Sequence, residues 1–182
     1  MTAKSNKGNL LEEAKSSKHS HNHGENVTGE EFPHTHLILI TYLLTVPVVW
    51  LLDSFIFNFS TQLTAFVPFI IKLIASVIMI ILSLIIMRSA DNMLFKEERS
   101  DKIVINTGPF AYVRHPLYLS MLLLYLGLIL FSFSIIALIY WGAFFVLFNK
   151  MVAFEEKDLI KILGPDYVEY MDKVARWIPY IF

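Results

Sequence analysis

The chain of 182 residues is 55% hydrophobic and only 17% charged, with a formal net charge of −1 at pH 7. The apolar fraction exceeds that of ordinary globular domains, and a net charge near zero gives no field that would attract a polyanion, so we expect no nucleic-acid partner. Because the sequence contains no cysteine, disulfides, thiolate metal sites, a cysteine nucleophile and thiol redox chemistry are excluded.

The first 34 residues are polar and rich in histidine. Lysines and glutamates are scattered there among Ser, Asn and Gly, and such a composition buries too little apolar surface to fold, so residues 1–34 are predicted to be a disordered tail. We do not expect the start of the chain to be a secretory signal, because it is polar and the first apolar block begins too late and runs too long. Residues 35–182 are predicted to form one membrane domain. Histidines alternate with other residues in and just after this tail. We assign no metal to them, because nothing in such a tail would orient the imidazole rings as metal ligands. They are His19, His21, His23, His34 and His36.

Three long apolar blocks follow the tail. The blocks 37–59 and 63–87 carry one charge each, and the block 117–148 carries none. A helix of about 20 apolar residues crosses the hydrocarbon layer of a bilayer, so each of the first two blocks predicts one crossing. The third block is too long for one crossing. It is predicted to divide at Ser132-Phe133-Ser134.

A tight helical hairpin, 117–131 and 135–148, is therefore expected from the third block. The sequence as a whole predicts an all-α, polytopic membrane protein with about four transmembrane helices, of which the last two form the hairpin.

The two charged residues inside the first blocks are Asp53 and Lys72. A charged side chain inside a bilayer is costly and often functional. At helical rise, their depths differ by roughly 5 Å, a gap that the long lysine stem can bridge. We expect a structural ion pair between the first two helices, distant from any cytoplasmic site.

Basic residues are distributed unequally between the two sides of the predicted bundle. The segments 88–116 and 149–182 each contain five, whereas the opposite connections, 60–62 and 132–134, contain none. Because basic residues concentrate in cytoplasmic loops, both termini and the polar site are predicted to be cytoplasmic. The ten basic residues are Arg88, Lys96, Arg99, Lys102, Arg114, Lys150, Lys157, Lys161, Lys173 and Arg176.

A polar segment lies at the mouth of the hairpin. It contains Arg114 and His115, and Pro116 suits the first position of the helix that follows. One interpretation is a membrane anchor at headgroup depth; the other is a binding site. If the segment is helical, spacings of three and four place four side chains near one face, namely Tyr112, His115, Tyr118 and Leu119.

A second polar segment begins where the last apolar helix would leave the bilayer. Glu155 and Glu156 add acid to a segment that otherwise follows the positive-inside pattern, although they could also be the solvated end of that helix. A helix that continues unbroken would bring Glu155 close to the level of His115. Further along, Tyr167 and Tyr170 are expected to pack rather than to form a site.

The two segments together resemble a known family. Gly-Pro-Phe-Ala-Tyr-Val-Arg-His-Pro-Leu-Tyr, then Glu-Glu, then Gly-x-x-Tyr-x-x-Tyr-x-x-x-Val-x-Arg-Trp-x-Pro is similar to the superfamily of isoprenylcysteine carboxyl methyltransferases and phospholipid methyltransferases, which are integral membrane enzymes. The resemblance covers about residues 103–180, with Ser120 where many members have glycine.

This resemblance implies transfer of a methyl group from S-adenosylmethionine to a lipophilic or prenylated acceptor that enters from the bilayer. Methylation of an isoprenylcysteine carboxyl group is the reaction that the resemblance favours most. A phospholipid amine and a small thiol remain open as acceptors. A non-catalytic membrane protein that binds lipid or metal is the alternative from a different class. The oligomeric state stays open.

The resemblance also implies roles for individual residues. A carboxylate such as Glu155 suits the ammonium of the cofactor, and a cationic side chain suits its carboxylate, while a tyrosine face suits its sulfonium. Arg176 would hold a carboxyl acceptor, whereas Glu156 or His115 would take the proton from an amine. The implied cofactor-binding residues are Tyr112, Arg114, His115, Tyr118, Leu119, Glu155 and Glu156.

Overall fold

The computed structural model describes residues 35–97 and 104–178, and in this part of the chain every regular element is a helix. The predicted tail, with His19, His21, His23 and His34, lies outside the described residues. In chain order the elements are α1 (Thr35–Leu51), a π-helical segment (Leu52–Phe57), a 3-10 helix (Gln62–Phe66), α2 (Phe69–Glu97), another 3-10 helix (Gly108–Ala111), α3 (Pro116–Ser132), α4 (Ile135–Leu163) and α5 (Pro165–Lys173).

Four of these helical stretches are strongly apolar. Three are long and apolar enough to cross a membrane, His36–Phe57, Phe69–Leu94 and Ile135–Leu163, and the shorter Pro116–Ser132 lies beside them. Much of their apolar surface is exposed in the isolated chain, as expected when lipid rather than protein covers it. The prediction of an all-α polytopic membrane protein with about four helices is confirmed.

The predicted break between the last two apolar helices is also confirmed. Phe133 adopts a left-handed conformation with φ of 51°, and its N–H donates to the Ile129 carbonyl at 2.8 Å. Ser134 then caps α4, because its hydroxyl accepts from the Ala137 N–H at 3.1 Å. Helix α4 continues to Leu163, well past the predicted end at residue 148, and carries the chain out of the apolar layer without interruption.

Helices α2 and α3 pack closely through small residues. The Ser83 hydroxyl donates to the Ser120 carbonyl at 2.7 Å. A Cβ placed on Gly127 would lie 3.1 Å from the Ser76 carbonyl oxygen and 2.9 Å from Ile80 Cγ1. Small side chains therefore let the two backbones approach each other, as is common between membrane helices.

Two aromatic clusters hold the remaining helices. Tyr42 of α1 is fully buried, and its ring lies 4.9 Å from Tyr125 of α3 and 4.7 Å from Phe148 of α4. At the other end of α4, Tyr167 and Tyr170 of α5 pack in a second buried cluster, as expected for packing residues. This second cluster fixes α5 and the segment after it against α4.

The ion pair expected between Asp53 and Lys72 is wrong. The Asp53 carboxylate accepts from the Ser60 N–H at 3.1 Å and from the Ser60 and Ser134 hydroxyls, whereas the Lys72 ammonium donates to the Thr64 carbonyl at 3.2 Å. Serine donors in the nearby turns satisfy the acid and a backbone carbonyl accepts from the lysine, so each charged group has its own polar partner and no direct pair is needed.

Candidate functional site

The segment before α3 is tied to the segment after α5. Val113 forms a parallel bridge with Ala175, and the Arg114 N–H donates to the Ala175 carbonyl at 2.9 Å. The Tyr170 hydroxyl donates to the Phe110 carbonyl at 2.6 Å, which fixes the turn leading into this bridge. Two segments that are distant in sequence therefore bring their arginines to one place.

Glu156 is the centre of the resulting cluster, and only 3% of its side chain is exposed. Its Oε1 lies 3.2 Å from Arg114 Nη1 and accepts from Arg176 Nε at 3.2 Å, while its Oε2 accepts from Arg176 Nη2. His115 Nε2 lies 3.4 Å from Oε1. A carboxylate this deeply buried requires such cationic partners, so Glu156 holds both arginines in place.

Glu155 faces a different set of partners, because successive residues of a helix project about 100° apart. Its Oε1 accepts from the Tyr118 hydroxyl at 2.5 Å, and its Oε2 lies 3.8 Å from His115 Nδ1. The side chain of Glu155 is 29% exposed, so this carboxylate is accessible to a ligand as well as oriented. His115 stands between the two glutamates.

Asn149 extends the cluster toward the apolar part of α4. Its Oδ1 accepts from Arg176 Nη1 at 3.1 Å and from Trp177 Nε1 at 3.0 Å. The sequence interpretation missed this residue. A signal was present, since Asn149 precedes Glu156 by seven residues, about two helical turns, and so lies on the same face.

The structure brings together the side chains of six of the residues singled out in the sequence, whereas for Tyr112 and Leu119 no side-chain contact with these six is found among the described residues. The ring of Tyr112 is 61% exposed. Leu119 is half-buried on α3, and its N–H donates to the His115 carbonyl. The six that converge are Arg114, His115, Tyr118, Glu155, Glu156 and Arg176.

Two buried nitrogen atoms of the cluster are poorly satisfied. Arg114 Nε is buried without an acceptor, and leaving such a group unpaired costs about 1–3 kcal/mol. His115 Nε2 faces Glu156 Oε1 at 3.4 Å, without a well-formed hydrogen bond. With the partly exposed carboxylate of Glu155 beside them, the cluster places N–H donors next to an anion. This set of residues fits a zwitterionic ligand with one carboxylate and one ammonium, as the amino-acid part of S-adenosylmethionine has.

The tyrosines of α5 support the cluster as neutral phenols. Burial raises the pKa of Tyr170 to about 12, partly opposed by the Arg114 guanidinium, and burial likewise raises the pKa of Tyr167. Both therefore keep their hydroxyl protons at neutral pH, which lets Tyr170 donate to the Phe110 carbonyl.

A cavity of about 300 Å³ lies elsewhere, beside Asp53 and Ile136. Ile136 and Glu155 are separated by about 30 Å along α4, so this cavity does not belong to the polar cluster. Its lining is almost wholly apolar, and its one carboxylate, Asp53, is already bound by hydroxyl groups. The chemistry-bearing side chains are at the opposite end of the helix.

Comparison with known proteins places the chain in a family. The family model for phospholipid methyltransferases matches residues 61–166. The chain is 33% identical over 88 residues to protein-S-isoprenylcysteine O-methyltransferase of Saccharomyces cerevisiae, which covers 47% of this chain and 36% of that protein. It is 28% identical over 95 residues to the Schizosaccharomyces pombe protein of the same name, and this alignment covers 52% of this chain and 40% of that protein.

The chain thus aligns with less than half the length of each of these curated relatives. No solved structure gives a significant match. The family match includes the bundle from the first interhelical turn to the start of α5, and therefore Arg114, His115, Glu155 and Glu156. The match spans more than half of the sequence and confirms the resemblance seen in the motifs: the chain belongs to the phospholipid methyltransferase family.

Proposed function

We propose that this protein is a membrane methyltransferase that uses S-adenosylmethionine and methylates the carboxyl group of a lipophilic acceptor of the isoprenylcysteine type. The observation that carries the proposal is the convergence of Arg114 and His115 with Glu155 and Glu156 at the end of an apolar hairpin. The names of the two yeast relatives support the same reaction class.

The residues around Glu155 are proposed to hold the cofactor. Glu155, oriented by Tyr118, receives its ammonium group, and the side chains of Arg114 and His115 beside it supply N–H donors for its carboxylate. When bound, S-adenosylmethionine supplies a methyl group activated by the neighbouring sulfonium charge. Tyr112 and Leu119 remain predicted contacts of its other parts.

Arg176 is proposed to hold the acceptor. Its guanidinium donates three N–H groups to Glu156 and Asn149, and of the five N–H groups of an arginine, two remain for an acceptor carboxylate. A carboxylate needs no deprotonation, so alignment is the main task of the site. Both oxygens of Glu156 already accept from Arg176, which favours an anchoring role for Glu156 over removal of a proton from an amine.

The cytoplasmic face is proposed as the side of the reaction. Helix α4 carries the chain from the uncharged hairpin turn to Glu155 and Glu156 in one continuous helix, and the basic residues concentrate at that end. An acceptor with a long apolar chain would reach Arg176 from the bilayer, and the water-soluble cofactor would arrive from the cytosol.

The test is binding of S-adenosylmethionine and of its demethylated product to the detergent-purified protein. We expect His115→Ala and Glu155→Ala to abolish binding while the helical content stays unchanged. Glu169→Ala serves as the matched control, because Glu169 is 68% exposed and pairs with Lys173 on α5. If wild type does not bind, a non-catalytic lipid- or metal-binding protein replaces the proposal. If wild type binds and the two variants bind equally well, the assignment of the cofactor site to His115 and Glu155 is overturned.

The acceptor is tested separately with labelled methyl groups. We expect methyl transfer to a farnesylated cysteine analogue, and formation of a base-labile methyl ester. Transfer only to phosphatidylethanolamine would replace the carboxyl acceptor by an amine, and transfer only to a small thiol would replace it by sulfur.

A further inference from the structure

The side-chain amide of Asn149 has a defined orientation in the structure. Both of its close partners, Arg176 Nη1 and Trp177 Nε1, are hydrogen-bond donors, and neither group has an accepting lone pair. The atom that faces them must therefore be the amide oxygen. This assignment follows from the partners, which is how the two ends of an asparagine amide are distinguished.

The amide nitrogen of Asn149 is consequently directed away from these two donors. Among the residues that the structure describes, no side-chain hydrogen bond involves Asn149 Nδ2, and this nitrogen is not among the buried atoms left without a partner. The side chain of Asn149 is half-buried rather than enclosed. An amide donor that no described side chain engages thus lies beside the guanidinium of Arg176.

The position of Asn149 along α4 distinguishes it from the cofactor-binding residues. It precedes Glu156 by about two turns, on the same face but nearer the apolar half of the helix. Arg176 joins the two, with Nη1 on Asn149 and Nη2 on Glu156. Asn149, and with it Nη1 of Arg176, therefore lies nearer the apolar half of α4 than Glu155 does.

We propose that Asn149 is an acceptor-binding residue that selects a carboxylate: its Oδ1 orients Arg176 and Trp177, and its Nδ2 donates to the carboxylate that Arg176 binds. This inference rests on the proposed function and deepens it by naming a residue that determines the class of acceptor. A site lined by an amide donor and a guanidinium stabilises an anionic oxygen and disfavours an ammonium group.

The decisive variant is Asn149→Asp. The aspartate keeps oxygen acceptors for Arg176 and Trp177, so a purely structural role is retained, but it replaces the proposed donor with an anion. We expect the KM for a farnesylated cysteine analogue to rise about tenfold or more, with kcat changed less. The affinity for S-adenosylmethionine, measured on the same sample, is expected to stay within about twofold.

Two further variants complete the experiment. Asn92→Asp is the matched control, because it makes the same change on the exposed surface of α2, and it should leave both constants unchanged. Asn149→Ala removes the donor without adding charge, so it remains informative if the aspartate variant fails to fold. We expect this variant also to raise the KM for the carboxyl acceptor while cofactor binding is retained.

The outcomes separate this inference from the proposed function. Wild type that does not bind S-adenosylmethionine contradicts the proposed function itself. Wild type that methylates the carboxyl analogue, with folded Asn149 variants whose KM for that analogue is unchanged, overturns only the role of Asn149. Equal losses of cofactor affinity and acceptor affinity in Asn149→Ala would also overturn it, because they would indicate a general disturbance of the cluster.

Discussion

The guanidinium of Arg176 contacts both carboxylate oxygens of Glu156, although the two residues are separated by 20 positions and by the whole of α5. The same carboxylate also lies 3.2 Å from Arg114, which precedes the hairpin. One buried anion thus joins three segments of the chain. This arrangement explains why a carboxylate can be buried at this end of α4.

Removing the charge of Glu156 should destabilise the fold. In Glu156→Gln the two arginines lose their common buried anion, and breaking such a pair costs about 3 kcal/mol. We expect a clear decrease in the midpoint of thermal unfolding in detergent. Glu169→Gln is the control, because its pair with Lys173 is exposed. Equal unfolding midpoints for the two variants would contradict the central role of Glu156.

The hydroxyl of Tyr118 should matter for cofactor binding. Tyr118→Phe removes the 2.5 Å hydrogen bond that orients Glu155, and a hydrogen bond to a charged group contributes enough to change affinity by about tenfold. We expect weaker binding of S-adenosylmethionine in a calorimetric titration. Tyr125→Phe, which removes a hydrogen bond to the Leu43 carbonyl inside the bundle, should lower stability and leave the affinity unchanged.

The close packing of α2 and α3 should make Gly127 sensitive to substitution. In Gly127→Ala the new methyl group meets the Ser76 carbonyl oxygen at 3.1 Å and Ile80 at 2.9 Å, and overpacking of this kind costs about 1–3 kcal/mol. Gly142→Ala is the matched control, since nothing lies within 4 Å of its added Cβ. Unfolding of both variants in detergent tests the difference; a Gly127 variant as stable as wild type would contradict it.

The buried carboxylate of Asp53 should contribute to stability and not to the cofactor site. Asp53→Asn places an amide nitrogen opposite hydroxyl and N–H donors from Ser60 and Ser134, and the unsatisfied groups cost about 1–3 kcal/mol. We expect a lower unfolding midpoint with unchanged affinity for S-adenosylmethionine, and Asp166→Asn on the exposed side of α5 should change neither property. A large loss of cofactor affinity in Asp53→Asn would contradict the separation of the two ends.

The features of the structure that the sequence predicts correctly are those that depend on local chemistry. The lengths of the apolar blocks predict the helices, and Ser132-Phe133-Ser134 interrupts the third block where a left-handed residue and a serine cap end one helix and begin the next. Pro116 likewise occupies the first position of α3, as the sequence predicts. Each of these features is decided within a few residues, or by the requirement that apolar surface face lipid.

Partner choice among polar side chains depended on the tertiary structure. Asp53 binds nearby hydroxyls instead of Lys72, and Asn149 binds Arg176 and Trp177, a contact that the sequence interpretation did not include. Such contacts depend on how the helices rotate about their axes and on the course of the segment after α5, which are set by packing over the whole chain. The sequence alone determined a helical membrane protein with two polar segments that resemble one family. Only the fold decided which atoms of those segments meet, because hydrogen bonds require distances that composition and spacing do not specify.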